Sequence, residues 1–386
     1  MKKCFKLLAA TALTAAMLSG CANQAKVEPK ETPAPQTEKQ TEAPAAAASE
    51  EKKTEADKSA ESETKKEAES ENAAKTEYEP VHLRVAYMPN MGSASAIIAA
   101  RDGGYFDKVG ITVDLVQFQG GPAEIAAMAS GDIDISQIGH GAHALCIEGQ
   151  AQIFGLDLYG KSDEVMANKE KGIEKIEDLK GKTVAVTAGT SSEIVLDLAL
   201  QKAGMTRDDM ELVEMDANGA VTAMISGKVD ACATWSPSTN IIREKMGDNV
   251  IVLAGNADFF DQVAFPGSFI VTEAFAKDNH DAIVRFYGAV LKAMDYRKEN
   301  VEEVCRWLAK EIEADPETII ATKDNYEWLT AKDVEEGLAD GSIKNCYESQ
   351  QQVFIDSERI KEKVPVEDYV MFDVMGEALE LYKTIE

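Results

Sequence analysis

The sequence is short of positive charge, with 40 lysine and arginine residues against 68 acidic ones and a net charge of −28. Such an acidic chain is poorly suited to bind nucleic acid or an anionic surface. Its six cysteines show no CxxC spacing, which argues against a zinc knuckle or a thioredoxin-like site. No GxSxG or HExxH motif stands out either. The sequence therefore indicates no catalytic residue, metal site or cofactor.

The apolar stretch near the N-terminus is too short to remain in a membrane as a spanning helix. Residues 1–20 begin with three lysines and continue with apolar residues 7–18, which is typical of a secretory signal peptide. The following Leu18-Ser19-Gly20-Cys21 resembles a bacterial lipobox, which implies lipidation of Cys21. A chance cysteine after a secretory signal is the alternative. Two acyl chains on Cys21 would anchor the protein stably to a membrane.

Residues 21–80 are predicted to be the lipidated cysteine followed by a disordered tether. Residues 22–80 contain 9 lysines, 15 acidic residues and Tyr78 as their only aromatic residue. Such a segment buries too little apolar surface to offset the entropy of ordering. As a flexible coil it would reach roughly 40 Å.

From residue 81 onward, apolar strand-like runs alternate with helical patterns, which predicts an α/β fold with parallel sheets. The segments Gly131–Ile135 and Gly227–Ala233 have similar sequences, and each is predicted to be a short strand. This weak repeat predicts two α/β lobes of similar build. The chain is predicted to be mostly helical from Ala274. Four cysteines in this part permit disulfides, but the apolar surroundings of Cys146 and Cys232 favour packed thiols.

Thr190, Ser191 and Ser192 stand where a helix is predicted to begin, directly after a buried strand and a turn. The first N–H groups of a helix lack intrahelical partners, and the helix dipole is positive there. Together with the hydroxyl groups, they could hold a small anion without lysine or arginine. The alternative is that these side chains only cap the helix.

Four segments of the chain occur in a characteristic order, namely VHLRVAYMPN, AARDGGYFDKVGITVDLVQFQGGPAEIAAMASGDIDISQIG, IEDLKGKTVAVTAGTSSE and AVTAMISGKVDACATWSPS. Together they resemble the solute-binding proteins of ABC importers, in the branch that takes nitrate, taurine, alkanesulfonates and thiamine-precursor pyrimidines. The resemblance implies a two-lobed type II periplasmic-binding-protein fold with a helical C-terminal segment. Lobe 1 would comprise residues 81–165 and 269–386, and lobe 2 residues 166–268.

The resemblance also implies a monomer held outside the cell membrane by lipid on Cys21. Its partners would be a small-molecule ligand in the cleft between the lobes, and the membrane permease and ATPase of an ABC importer. One relative of this fold is an enzyme that makes the thiamine pyrimidine with a cysteine cluster, which this sequence lacks. A surface sensor or adhesin on the same fold is a further alternative.

Ligand-binding residues are expected in loops at the carboxyl ends of strands. Ser191 and Ser192 match the helix-start serines that bind the anionic group in the family. The expected site comprises Asn90, Met91, His140, Gly141, Asp157, Tyr159, Thr190, Ser191, Ser192, Asp216, Asn218, Trp235 and Phe265.

Each of the main candidates has a simpler interpretation. Trp235 could line the ligand site or only pack, and His140 could donate to an anion or be a neutral surface residue. Asp157 and Asp216 could pair with a ligand amine, although a solvated loop position is as plausible for Asp216. A zwitterionic sulfonate such as taurine is therefore the first choice of ligand. A thiamine-precursor pyrimidine stacked on Trp235 or Tyr159 is the second.

Overall fold

The computed structural model of the protein describes residues 78–386. The predicted signal segment, Cys21 and nearly all of the predicted tether lie outside the described residues. No helix within 78–386 is long and apolar enough to cross a membrane.

The strands of the described chain form two sheets. They are β1 (Val81–Tyr87), β2 (Ile111–Gln117), β3 (Ile135–Ile138), β4 (Gln152–Gly160), β5 (Glu164–Asn168), β6 (Thr183–Val186), β7 (Glu211–Glu214), β8 (Ala231–Thr234), β9 (Val250–Gly255), β10 (Pro266–Val271) and β11 (Tyr326–Trp328).

The α-helices surround these sheets and dominate the C-terminal part. They are α1 (Met91–Asp102), α2 (Tyr105–Lys108), α3 (Gly121–Ala129), α4 (His143–Ile147), α5 (Ser191–Lys202), α6 (Ala217–Ile225), α7 (Ser238–Met246), α8 (Glu273–Asp278), α9 (His280–Glu299), α10 (Val301–Glu311), α11 (Pro316–Ile320), α12 (Ala331–Asp340), α13 (Ser342–Asp356) and α14 (Phe372–Tyr382).

The two sheets share one topology. The first has the strand order β11-β4-β10-β3-β1-β2, and the second has β7-β6-β8-β5-β9. In each sheet, three neighbouring strands are parallel, and the next strand is antiparallel to them: β10 beside β3 and β5 beside β8. Along the chain, this antiparallel strand directly follows a strand of the other sheet. This mixed α/β architecture confirms the predicted fold class.

We call the first sheet with its helices lobe 1 (residues 78–160 and 266–386) and the second sheet with its helices lobe 2 (residues 164–255). Two connections join the lobes, residues 161–163 and 256–265. The boundaries expected at 165/166 and 268/269 fall inside β5 and β10, which begin at Glu164 and Pro266.

The repeated motif is real, but its strands begin later than predicted. The predicted strand Gly131–Ile135 is a turn leading into β3, and Gly227–Ala233 leads in the same way into β8. The aspartate of each motif explains why the strand begins later than predicted. The N–H of Asp134 donates to the carbonyl oxygen of Arg84 at 2.9 Å, and the carboxylate of Asp134 accepts from the N–H of Arg84 at 2.7 Å. Asp230 makes the same connections to Thr183, with a carboxylate contact of 3.0 Å.

The core of lobe 1 lies between its sheet and long helices. Helix α1 is rich in small residues, and all of Met91–Ala100 is buried. Helix α9 packs against α1 and α14. The four cysteines of the described chain, Cys146, Cys232, Cys305 and Cys346, are buried free thiols.

Candidate functional site

A cavity of about 70 Å³ lies between the two lobes. It is small beside the roughly 300–1,000 Å³ typical of sites for drug-sized ligands. Six of the residues expected from the sequence line its wall: Asn90, His140, Thr190, Ser191, Trp235 and Phe265. Among the described residues, no lysine or arginine lines this cavity. Any charge on a ligand must therefore be met by dipoles, hydroxyl groups or acidic side chains.

Helix α5 begins at the cavity wall with its N-terminus uncapped by a side chain. The hydroxyl of Thr190, at the N-cap position, instead donates to the carbonyl oxygen of Thr187 at 2.7 Å. The hydroxyl oxygen of Ser191 lies 3.4 Å from the N–H of Gly141 in lobe 1. The first N–H groups of α5 are thus left without a side-chain partner, beside the cavity. Such a helix start favours an anion.

Glu193 stands in the first turn of α5 and would repel an anion if its charge were unbalanced. Two arginines balance it: Arg207 Nη1 lies 2.8 Å from Glu193 Oε1, and Arg359 contacts Oε2. The N–H of Gly189 also donates to Oε2 at 2.7 Å. Burial alone would raise the pKa of Glu193, but Arg359, Arg207 and this hydrogen bond together hold it below the usual value. The carboxylate therefore stays ionised and orders the Gly189–Thr190 turn.

His140 is buried in the cavity wall, with 1% of its surface exposed. Its ring packs between Phe265 and Phe354, with centroid distances of 5.0 Å to each. Neither ring nitrogen has a hydrogen-bond partner among the described residues. Burial, with smaller effects of His143 and Arg359, lowers the pKa of His140 well below its usual value. His140 is thus a neutral imidazole able to donate one hydrogen bond and accept another.

Trp235 and Phe265 supply apolar parts of the wall. Trp235 follows β8 and is half-buried, whereas Phe265 is buried at the end of the second connection. The hydroxyls of Thr234 and Ser236, which flank Trp235, are buried without partners in the described chain. Phe265 also packs edge-on against the exposed Phe260 at 6.3 Å.

Asn90 reaches the wall as the N-cap of α1, where its side-chain oxygen accepts from the N–H of Ser93 at 2.9 Å. The next residue, Met91, turns into the core of lobe 1 and is absent from the wall. Successive side chains along a helix point about 100° apart, so Asn90 and Met91 face different directions.

Gly141 and Ser192 lie directly behind the wall. Gly141 packs against the backbone of Thr190, and the Ser192 hydroxyl lies 3.0 Å from that of Thr190. Tyr159 is half-buried and is not part of the wall.

Asp157 does not face the cavity, in contrast to the expectation from the end of β4. Its Oδ1 lies 2.8 Å from Nη1 of Arg297 on α9, and neither side chain is exposed. Gln137 Nε2 donates to its Oδ2 at 3.2 Å and lies between it and the cavity. Because Asp157 already has a cationic partner, it is not a site for a ligand amine.

Asp216 and Asn218 also lie away from the cavity wall. Asp216 is the exposed N-cap of α6 and accepts from the N–H of Gly219 at 2.7 Å. Asn218 is exposed, and its side-chain amide lies 3.4 Å from that of Gln119 in lobe 1. These residues contribute to the helix end and to the contact between lobes.

The wall contains five polar residues that the sequence analysis missed, namely Ser93, Gln137, Ser162, Asp163 and Tyr326. Gln137 lies near the end of β3, so the strand-end rule could have found it. Asp163 lies in the first connection between the lobes, where only the position of the crossover marks it. Tyr326 is far along the chain on β11, and no local signal places it beside Asn90.

Comparison with known protein families matches residues 92–304 to the family described as NMT1/THI5 like. A protein of Brucella abortus, named as a binding protein, is 31% identical over 293 residues. That match covers 76% of this chain and 91% of the relative. A Bacillus subtilis protein named as an aliphatic sulfonates-binding protein is 28% identical over 298 residues, covering 75% of this chain and 86% of the relative.

The fold is also similar to that of a solved structure, the alkanesulfonate-binding protein SsuA from Xanthomonas axonopodis pv. citri bound to MOPS. The TM-score is 0.59, and the match covers 76% of this chain and 99% of that protein. The sequence identity is 20%, so this likeness concerns the fold alone.

Proposed function

This chain belongs to the NMT1/THI5-like family, and from that premise we propose that it is the substrate-binding lipoprotein of an ABC importer. It captures a small organic anion or zwitterion between its lobes and delivers it to the membrane permease. It acts as a monomer on the outer side of the cell membrane, anchored by lipid on Cys21.

One observation carries this proposal, namely that the uncapped N-terminus of α5 opens onto a cavity between two lobes. A ligand held there contacts Thr190 and Ser191 from lobe 2 and Asn90 and His140 from lobe 1. Because it contacts both lobes at once, it stabilises the closed arrangement relative to an open one. Hinge closure of this kind is the usual way in which two-domain binding proteins enclose a ligand.

The first choice of ligand is a zwitterionic sulfonate such as taurine. A sulfonate is a strong hydrogen-bond acceptor that suits N–H and O–H donors. The small cavity matches a compact ligand, and the Bacillus subtilis relative is named for aliphatic sulfonates. The second candidate is a thiamine-precursor pyrimidine, which the aromatic residues Trp235, Phe265 and His140 would favour as stacking surfaces.

A binding role fits the chemistry of the described residues better than an enzymatic one. The cysteine thiols are buried, and burial raises the pKa of Cys232 to about 12, which makes it a poor nucleophile. His140 has no hydroxyl, thiol or carboxylate hydrogen-bonded to it that it could activate. An adhesin on this fold would not need a cavity between the lobes.

Calorimetric titration with taurine, 1-propanesulfonate, nitrate and a thiamine-precursor pyrimidine tests the proposal. We expect a sulfonate to bind, and Ser191→Ala to weaken that binding by about tenfold, corresponding to about 1.4 kcal/mol. Ser342→Ala is the matched control, because Ser342 also begins a helix but is exposed and far from the wall. Binding of the pyrimidine alone would replace sulfonate by the second candidate, and no binding or thermal stabilisation by any of them would favour the adhesin.

Anchoring is tested separately. We expect Cys21→Ser to release the protein from the membrane fraction of cells that export it. Retention of the variant in that fraction would contradict the lipid anchor.

A further inference from the structure

Asp163 is a buried carboxylate in the cavity wall, with 6% of its surface exposed. It ends the first connection between the lobes and is hydrogen-bonded to Asn256, which begins the second. Asn256 Nδ2 donates to Asp163 Oδ2 at 3.0 Å, and the N–H of Asp163 donates to Asn256 Oδ1 at 2.7 Å. The N–H of Asn256 also donates to the carbonyl oxygen of Asp163 at 3.3 Å. The residue is therefore fixed at the point where both connections meet.

The charge of Asp163 is not balanced by a protein cation in the described chain. No lysine or arginine lines the cavity with it, and its side-chain hydrogen bond comes from a neutral amide. The neighbouring Glu164 is a second carboxylate, and the cation near it, Arg243, contacts Glu164 instead. A buried carboxylate without a cationic partner is unfavourable. In agreement, burial raises the pKa of Asp163 to about 7, with Asn256 opposing and Glu164 adding to the shift.

We propose that Asp163 is the cation subsite of the cavity, and that it selects ligands carrying an ammonium group beside their anionic group. The anionic group meets Thr190 and Ser191, and the ammonium group pairs with Asp163. The ligand thereby supplies the positive charge that the wall lacks. This inference rests on the proposed function and narrows its substrate class to small amino-sulfonates or similar zwitterions. Asp163 thereby takes the role of pairing with a ligand amine, which the sequence analysis expected of Asp157 and Asp216.

The position of Asp163 gives the subsite a second consequence. Because its backbone and side chain join the two connections, a ligand held by Asp163 contacts the part of the molecule about which the lobes move. Asp163 then takes part both in recognising the ammonium group and in closing the lobes.

The test compares taurine with 1-propanesulfonate, in which a methyl group replaces the ammonium group. For the unmodified protein we expect taurine to bind at least about tenfold more tightly. Asp163→Asn keeps the shape of the side chain, and we expect it to remove most of this preference while leaving the affinity for 1-propanesulfonate within about threefold of the original. Asp261→Asn is the control, because Asp261 is an exposed carboxylate in the second connection.

A second measurement needs no variant. An ammonium group favours the ionised form of a nearby carboxyl group. Titrations near pH 7 in two buffers of different ionisation enthalpy should therefore show proton release with taurine and none with 1-propanesulfonate. A merely structural Asp163 would give the same proton balance with both ligands.

The outcomes separate the two proposals. If 1-propanesulfonate binds as tightly as taurine, or Asp163→Asn keeps the preference, the cation subsite is wrong while sulfonate binding stands. If neither sulfonate binds the unmodified protein, both the sulfonate assignment and the subsite are wrong.

Discussion

A Cβ atom added to Gly141 in lobe 1 would lie 2.1 Å from the carbonyl carbon of Thr190 in lobe 2. Real Cβ atoms do not approach backbone atoms so closely, so only glycine allows this contact between lobes. Glycine is required here because no space remains for a Cβ atom. The same approach brings the N–H of Gly141 to Ser191 at the start of α5.

Gly141→Ala should therefore hinder closure without unfolding either lobe. We expect ligand affinity to fall by at least about tenfold, because the energy of closing the lobes over the methyl group opposes binding. Calorimetry gives the affinity, and small-angle scattering with and without ligand gives the compaction. Gly376→Ala is the control, since a Cβ at Gly376 meets nothing within 4 Å. An unchanged affinity of Gly141→Ala would show that this contact does not limit closure.

A second prediction concerns the two arginines that contact Glu193. Arg359 reaches Glu193 from lobe 1, whereas Arg207 belongs to lobe 2 together with Glu193. Arg359→Ala removes an ion pair between lobes and should weaken ligand binding severalfold. Arg207→Ala removes an ion pair within one lobe and should mainly lower the stability of that lobe.

The same titrations and scattering measurements distinguish these two effects, with urea unfolding as the measure of stability. Equal loss of ligand affinity in both variants would mean that Glu193 acts only by ordering the start of α5.

The fold could be predicted from the sequence because its evidence is local and repeated. Apolar runs alternate with helical patterns, and the aspartates Asp134 and Asp230 recur at equivalent places. The strand boundaries in this motif were predicted wrongly. The local sequence cannot show that the carboxylate of Asp134 accepts a hydrogen bond from the N–H of Arg84. That hydrogen bond depends on residues 50 positions apart.

The site was only partly predictable for the same reason. Thr190, Ser191 and His140 follow strands, so the strand-end rule places them near one another. Asp157 also lies near the end of a strand, but Arg297, 140 residues later, pairs with it in the interior of lobe 1 and keeps it out of the site. Asp163 has no such partner, and only the packing of the two connections places it in the wall.

The pair Asp157–Arg297 gives a third prediction, on stability. Both side chains are fully buried, so Arg297→Met leaves an uncompensated carboxylate in the core of lobe 1. We expect the free energy of unfolding, measured in urea, to fall by about 3–5 kcal/mol. The double variant Asp157→Leu with Arg297→Met should recover part of this loss, because no charge then remains buried.

Lys332→Ala is the control, since its ion pair with Glu336 is exposed and should contribute at most about 1 kcal/mol. A small effect of Arg297→Met, similar to that of Lys332→Ala, would show that Asp157 becomes protonated or hydrated at little energetic cost.

The last prediction concerns Glu124, a fully buried residue on α3 whose Oε2 accepts from the Ser136 hydroxyl and whose Oε1 has no partner in the described chain. Burial, opposed by the Ser136 hydrogen bond, raises the pKa of Glu124 to about 8. Between the unfolded value, about 4.3, and this raised value, the folded protein holds a proton that the unfolded chain has released. The contribution of Glu124 to stability is therefore largest below the unfolded pKa and declines as the pH rises to about 8.

Glu124→Gln keeps the shape of the side chain and cannot ionise. We expect its free energy of unfolding, relative to the unmodified protein, to rise with pH by at most about 1.4 kcal/mol per unit between about pH 5 and pH 8. Urea unfolding at several pH values measures this difference in the free energy of unfolding. The contributions of ionisable groups common to both proteins cancel in it. Glu348→Gln, at an exposed position on α13, should show no such trend. Parallel stability curves for Glu124→Gln and the unmodified protein would mean that Glu124 stays ionised in the folded state. The unpartnered Oε1 would then have to be hydrated, since no cation among the described residues lies within ion-pair distance of it.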